Sequence, residues 1–102
     1  MTYGLFTTFI ALGGMRDELA RHLLDAATAL SDDPACLQYL VSTSGDVDVC
    51  IFEIWRDEAA HDESLLRKDV RAIVDVARPL IASVGSQVRL EVAGGKGAYP
   101  RL

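Results

Sequence analysis

"CLQYLVSTSGDVDVCIFEIW", residues 36–55, reads as two strands folded on a turn, and its position between two helical stretches decides the architecture. Residues 36–43 and 47–55 are rich in β-branched, aromatic and apolar side chains, and Ser44, Gly45 and Asp46 carry the turn chemistry between them. In the second strand Val49 and Ile51 alternate with Cys50 and Phe52, so both of its faces are apolar. Two loop lengths are compatible with this hairpin. A three-residue loop puts Tyr39 on the face of Trp55, and a two-residue loop puts it on the opposite face.

Upstream, "YGLFTTFIAL" (3–12) is a strand suited to cover on both sides, ended by Gly13–Gly14. "MRDELARHLLDAATAL" (15–30) then places Met15, Leu19, Leu23, Ala26, Ala27 and Leu30 at helical spacing, with Asp17 and Glu18 in the favourable first turn. "SDDP" stops that helix. Downstream, a helical region is expected from Asp57, which can cap it, to about Ser83. Pro79 must kink it or follow a break near Lys68–Asp69. "SQVRLEV" (86–92) is an alternating strand, read with Val88, Leu90 and Val92 inward and Gln87, Arg89 and Glu91 outward.

The order β-α-β-β-α-β defines an α+β, ferredoxin-like subunit with an antiparallel sheet and both helices on one face. The other face would then lie in water although its strands are apolar, so a homodimer with sheets packed together is expected. The expected domain spans residues 1–93, followed by a Gly-rich, flexible C-terminal tail, 94–102.

Composition narrows the partners. Half of the 102 residues are apolar and a quarter charged, as in folded globular chains, and the net charge is −5. No basic stripe is present, which argues against nucleic acid. No apolar run approaches the roughly 18 residues of a membrane span, and the start lacks a basic n-region and cleavage site. A cytoplasmic protein without a membrane partner is expected. Cys36 and Cys50 fall on opposite strands of the hairpin, offset by about five residues or roughly 16 Å. A disulfide needs Cα atoms within about 7 Å, so free thiols are expected. These cysteines, with His22 and His61, do not form a zinc pattern. No motif for flavin, nicotinamide, metal, haem or phosphate appears.

The candidate site residues cluster around "FEIWRDEAAHDESL" (52–65). Trp55, the only tryptophan, either packs in the core or an interface, or walls a pocket where strand meets helix. His61, six residues on, is either a surface residue beside Asp57 and Asp62 or a general base, since a histidine ring titrates near neutrality. His22 flanks the apolar stripe of the first helix, and Tyr39 reads as core packing or a site hydroxyl. Glu53 shares a strand face with Trp55 and needs a partner there, an ion pair being the simplest.

Taken together, "YGLFTTFIAL", "GGMRDEL", "CLQYLVS", "FEIWRDEAAHDESL" and "ARPLIA" make residues 3–92 resemble the antibiotic biosynthesis monooxygenase (quinol monooxygenase) family. The resemblance implies a dimeric α/β barrel of ferredoxin-like subunits. It also implies oxidation of a phenolic, hydroquinone or polyketide-type aromatic substrate by O₂ with no cofactor. Trp55 matches the family's strand-end tryptophan. Many members carry a histidine nine residues later; here that position is Ser64, and His61 lies earlier in the same helix. His61 becomes the expected catalytic base, with Trp55, Tyr39 and His22 as substrate-binding candidates. The haem-degrading branch would require tryptophan and histidine where this chain has Ser64 and Val74, so haem breakdown is not expected. The alternative to an enzyme is a non-catalytic small-molecule-binding dimer of the same fold.

Overall fold

The structure, a computed structural model, describes residues 2–97. Four strands, β1 (Tyr3–Ala11), β2 (Cys36–Ser44), β3 (Asp48–Trp55) and β4 (Ile81–Glu91), alternate with helices α1 (Arg16–Ala29), α2 (Glu58–Ser64) and α3 (Lys68–Ala77). The strands form one sheet in the order β2-β3-β1-β4, antiparallel at every pair. This is the ferredoxin-like α+β subunit expected from the hairpin. Among the described residues no helix is long and apolar enough to cross a membrane.

The hairpin register settles the position of Tyr39. Ser44 pairs with Asp48, which leaves a three-residue loop, Gly45–Asp46–Val47, with Gly45 at φ 56°. The left-handed backbone there suits glycine. Tyr39 therefore pairs with Glu53 and shares its face. A register shift between Cys36 and Gln38 brings Cys36 opposite Trp55, while Cys50 pairs with Ser42. Both thiols are free.

Helix α1 buries Leu19, Leu23 and Ala26 against the sheet, as its spacing requires. The second helical region is broken, but at residues 65–67 rather than 68–69. Asp57 caps α2 by accepting from the Ala60 amide at 2.8 Å. Arg67 holds the break by donating to Asp32 at 3.2 Å and to the Ala29 carbonyl at 3.1 Å.

Two expectations about the C-terminal half are corrected. The helix does not reach Ser83: it ends at Ala77, Pro79 sits in a single 3₁₀ turn, and β4 starts at Ile81, paired with Ala11. The strand's first half lacks a readable period because its register slips twice against β1, skipping Ala82 and Gly85. Second, the alternation in residues 86–92 is real but faces the other way. Gln87 donates to Thr7 Oγ1 at 3.2 Å and Arg89 pairs with Glu58 of α2 at 3.2 Å, so these polar side chains take the helix side. Val88 and Leu90 lie on the open face, paired with Phe6 and Gly4. Val88 and Leu90 of β4 thus belong to the sheet's second apolar surface, while Ile81 packs into the helix-side core.

That open surface carries a continuous cross-strand row, Leu40–Phe52–Phe6–Val88. The rings of Phe6 and Phe52 lie 6.3 Å apart, and Leu40 and Val88 are 53% and 46% exposed. On the helix side the core divides in two. One cluster joins Leu19 and Leu23 to Val49 and Ile51, and the other gathers Leu30, Ala35, Ala60 and Val70 around Trp55. Residues 92–97 leave the sheet, and Gln38 Nε2 donates to the Gly97 carbonyl; residues 98–102 of the expected tail lie outside the described residues.

Candidate active site

A cavity of about 260 Å³ opens between the two halves of the core, roofed by α1, α2 and α3 and floored by the sheet. That is slightly below the roughly 300–1,000 Å³ of pockets for drug-sized ligands, and suits a molecule of one or two rings. Its wall is mostly apolar, with Leu5, Leu23, Ile51, Val70 and Val74 prominent. Polar groups enter from β2 and β3 as Tyr39 and Glu53, from α2 as His61 and Ser64, and across β1 and β4 as Thr7 and Gln87. No Lys or Arg lines it among the described residues.

Alternation along β3 sends Val49, Ile51, Glu53 and Trp55 to the helix side. Trp55 is fully buried and does not reach the cavity. Burying an aromatic side chain of ~150–250 Å² contributes about 4–6 kcal/mol at ~25 cal/mol per Å², so packing alone justifies the residue. Its polar edge does more. Trp55 Nε1 donates to Glu53 Oε1 at 3.0 Å, and the indole meets the His61 ring edge-on with centroids 5.7 Å apart.

His61 is fixed on three sides. Its ring lies 5.6 Å from that of Tyr3, against Trp55, and its Nδ1 is 3.0 Å from Asp62 Oδ1. A carboxylate only accepts, so in the neutral ring the proton sits on Nδ1 and the lone pair is on Nε2. Nε2 lies 3.9 Å from Glu53 Oε1, too far for a hydrogen bond. Three residues further along α2, Ser64 Oγ donates to the His61 carbonyl at 2.6 Å. Ser64 is small and already bonded, so it leaves the helix's cavity-facing ring chemistry to His61.

Electrostatics at the site follow from burial. Glu53 is 8% exposed, and desolvation pushes its carboxyl above the ordinary value against the opposing pull of the Trp55 hydrogen bond and the His61 ring. The Tyr39 phenol is raised by burial and then by Glu53, so it stays protonated. Cys36, beside this cluster, is pushed up to about 11 by burial, then by Glu53 and Asp33. Among the described residues, no group of three His, Cys, Asp or Glu side chains is arranged to hold a metal ion.

Of the residues singled out from sequence, His61 and Tyr39 line the cavity, Trp55 stands directly behind it, and His22 lies outside it. His22 Nε2 instead sits 3.9 Å from Glu18, one turn back on α1. Glu53 is the residue that sequence reasoning undervalued. The usable signal was its i,i+2 relation to Trp55 on one strand face, which brings a carboxyl to an indole N–H.

Comparison with known proteins agrees with this fold. The sequence profile of the family described as antibiotic biosynthesis monooxygenase matches residues 3–76. A candidate antibiotic biosynthesis monooxygenase from Chloroflexus aurantiacus is 31% identical, with a TM-score of 0.86 over 93% of this chain and 96% of that one. A second, from Caulobacter crescentus, is 20% identical with a TM-score of 0.74, covering 87% of this chain and 85% of its own. Rv0793 from Mycobacterium tuberculosis shares the fold at 17% identity, with a TM-score of 0.79 over 94% of this chain and 99% of its own. No curated protein matches. The chain belongs to the antibiotic biosynthesis monooxygenase family.

Proposed function

We propose that the protein is a homodimeric monooxygenase that uses O₂, without a metal or flavin, to oxidise a phenolic, hydroquinone or polyketide-type aromatic substrate. The observation that carries this reading is a mostly apolar cavity whose titratable side chains, Tyr39, Glu53 and His61, converge at one place. An electron-rich ring can reduce O₂ itself once it is deprotonated, so the protein's tasks are to bind the ring, take its proton and exclude water.

In this scheme His61 Nε2 removes the phenol proton, and Asp62 holds the ring in the tautomer that can accept it. One electron passes from the phenolate to O₂, and collapse of the radical pair forms a C–O bond at a ring carbon bearing hydrogen. The resulting peroxide anion takes up the proton held by His61, and the hydroperoxide so formed breaks its O–O bond and the C–H bond at the same carbon to release water, leaving a carbonyl. One oxygen atom stays in the product and the other leaves as water, so phenol plus O₂ becomes quinone plus water. Tyr39, protonated and at the cavity wall, orients the ring.

The open sheet face supports the homodimer. The row Leu40–Phe52–Phe6–Val88 is an apolar surface that a second copy of the same sheet would cover.

Oxygen uptake with a panel of hydroquinones and anthrones, with no added cofactor, tests the reaction. The expected result is uptake with one ¹⁸O atom from ¹⁸O₂ in the product. Tight ring binding with no uptake across the panel would favour a binding protein of the same fold.

A further inference from the structure

We propose that Glu53 works as a neutral carboxylic acid whose Oε2–H donates a hydrogen bond to the oxygen of the bound phenol while His61 takes the proton from that oxygen. This rests on the reading that the cavity binds a phenol.

The geometry points to it in three steps. First, Glu53 is poorly partnered as an anion. A buried carboxylate is held ionised by two or three hydrogen bonds or by a cation in contact. Glu53 receives one hydrogen bond, from Trp55 Nε1 to Oε1, and the nearest basic atom, His61 Nε2, stands 3.9 Å away. No Lys or Arg lines the cavity among the described residues. The groups facing it from elsewhere do not supply charge of the right sign: Tyr39 and Cys36 of β2 keep their protons, and Leu5 of β1 is apolar. Burial raises the Glu53 carboxyl in the same sense.

Second, the two oxygens are already divided by role. Oε1 accepts from the indole, as the carbonyl oxygen of a neutral acid does. Among the described residues Oε2 has no hydrogen-bond partner, yet no fully buried side-chain oxygen or nitrogen is left without one. Oε2 therefore has open space beside it, and Glu53 lines the cavity.

Third, beyond the Tyr39 hydroxyl and the imidazolium that His61 becomes, the cavity offers no cationic donor for negative charge among the described residues. Removal of a phenol proton leaves an anion in a nearly apolar cavity, where an ionised Glu53 would repel it. A neutral Glu53 stabilises it through a charge-assisted hydrogen bond, the kind that is strongest in a dry site. Trp55 thus acts as a positioning residue: it fixes which oxygen accepts and leaves the other to donate.

Two measurements test the assignment. The infrared spectrum of the ligand-free protein at neutral pH, minus that of Glu53→Gln, should contain the C=O stretch of a protonated carboxyl; its absence overturns the proposal. In parallel, 4-nitrophenol and nitrobenzene are titrated into the wild type, Glu53→Gln and Glu53→Met. Gln keeps both an acceptor for Trp55 and a donor for the ligand, so 4-nitrophenol binding should stay within about threefold. Met removes the donor, and 4-nitrophenol should weaken by about 10- to 100-fold with nitrobenzene unchanged. Equal effects on both probes, or loss of 4-nitrophenol binding in Gln alone, would overturn the donor role while leaving the phenol reading intact. If neither probe binds the wild type, the phenol reading fails and the donor role with it. Should the Met variant not fold, the infrared band and the Gln variant decide.

Discussion

The indole nitrogen of Trp55 and the carboxyl of Glu53, two residues apart on β3, are joined by a buried hydrogen bond of 3.0 Å. The fully buried indole thereby places one carboxyl at the cavity wall. Trp55→Ala should cost about 3–5 kcal/mol, a large share of the ~5–15 kcal/mol that holds a domain of this size together. Trp55→Phe should cost less, and should push the Glu53 carboxyl still higher because the hydrogen bond that lowers it is gone. Urea unfolding of both variants gives the first comparison, and the pH dependence of the Glu53 infrared band gives the second.

Glu53→Gln should stabilise the protein in a pH-dependent manner. A carboxyl raised in the folded chain binds its proton more tightly there than when unfolded. Its contribution to stability is fully present at low pH and is lost as pH rises through the raised value. Gln does not titrate, so the difference in melting temperature should be smallest near pH 4 and grow toward neutrality. A constant difference across that range would contradict the shift.

With a confirmed substrate, His61→Ala should lower turnover by about 10²-fold or more if its ring is the general base. His22→Ala should leave turnover near wild type, because His22 lies outside the cavity. Steady-state rates on variants with unchanged circular dichroism make this comparison.

Sedimentation equilibrium should give a single species at twice the 11.1 kDa chain mass. Phe6→Lys introduces a charge into the centre of the open apolar row and should shift that species toward monomer.

Both cysteines should titrate as free thiols in denaturant, two per chain. In the folded protein Cys36 should react slowly: with its thiol pushed up to about 11, only about one molecule in a thousand is thiolate at pH 8. Timed reaction with a chromogenic disulfide, followed by peptide mapping, distinguishes it from Cys50.

The order of elements was legible because residues 36–55 mark their own turn and the helices on each side show a 3.6-residue stripe. β4 was only half legible. The slips at Ala82 and Gly85 erase its period before Ser86, and alternation alone does not say which face a strand turns to the helices. At the site, His61 stood out as a ring residue beside a strand–helix junction, and Tyr39 as an aromatic residue of the second strand. Glu53 did not, since sequence shows that a buried carboxyl needs a partner but not that the partner is an indole rather than a cation. Trp55 read either as core packing or as a wall of the pocket, and it stands one layer behind that wall, packed among Leu30, Ala35, Ala60 and Val70.

The break at residues 65–67 has a dynamic consequence. It leaves α2 as a seven-residue helix, below the length at which a helix is stable by itself, pinned at one end by the Asp57 cap and at the other by Arg67. Its backbone amides should therefore exchange with solvent deuterium well before those of α1, which is twice as long and buried along a full stripe. His61 rides on this segment, so the cavity wall can breathe on the timescale of a single helical turn melting, with the sheet and α1 left intact.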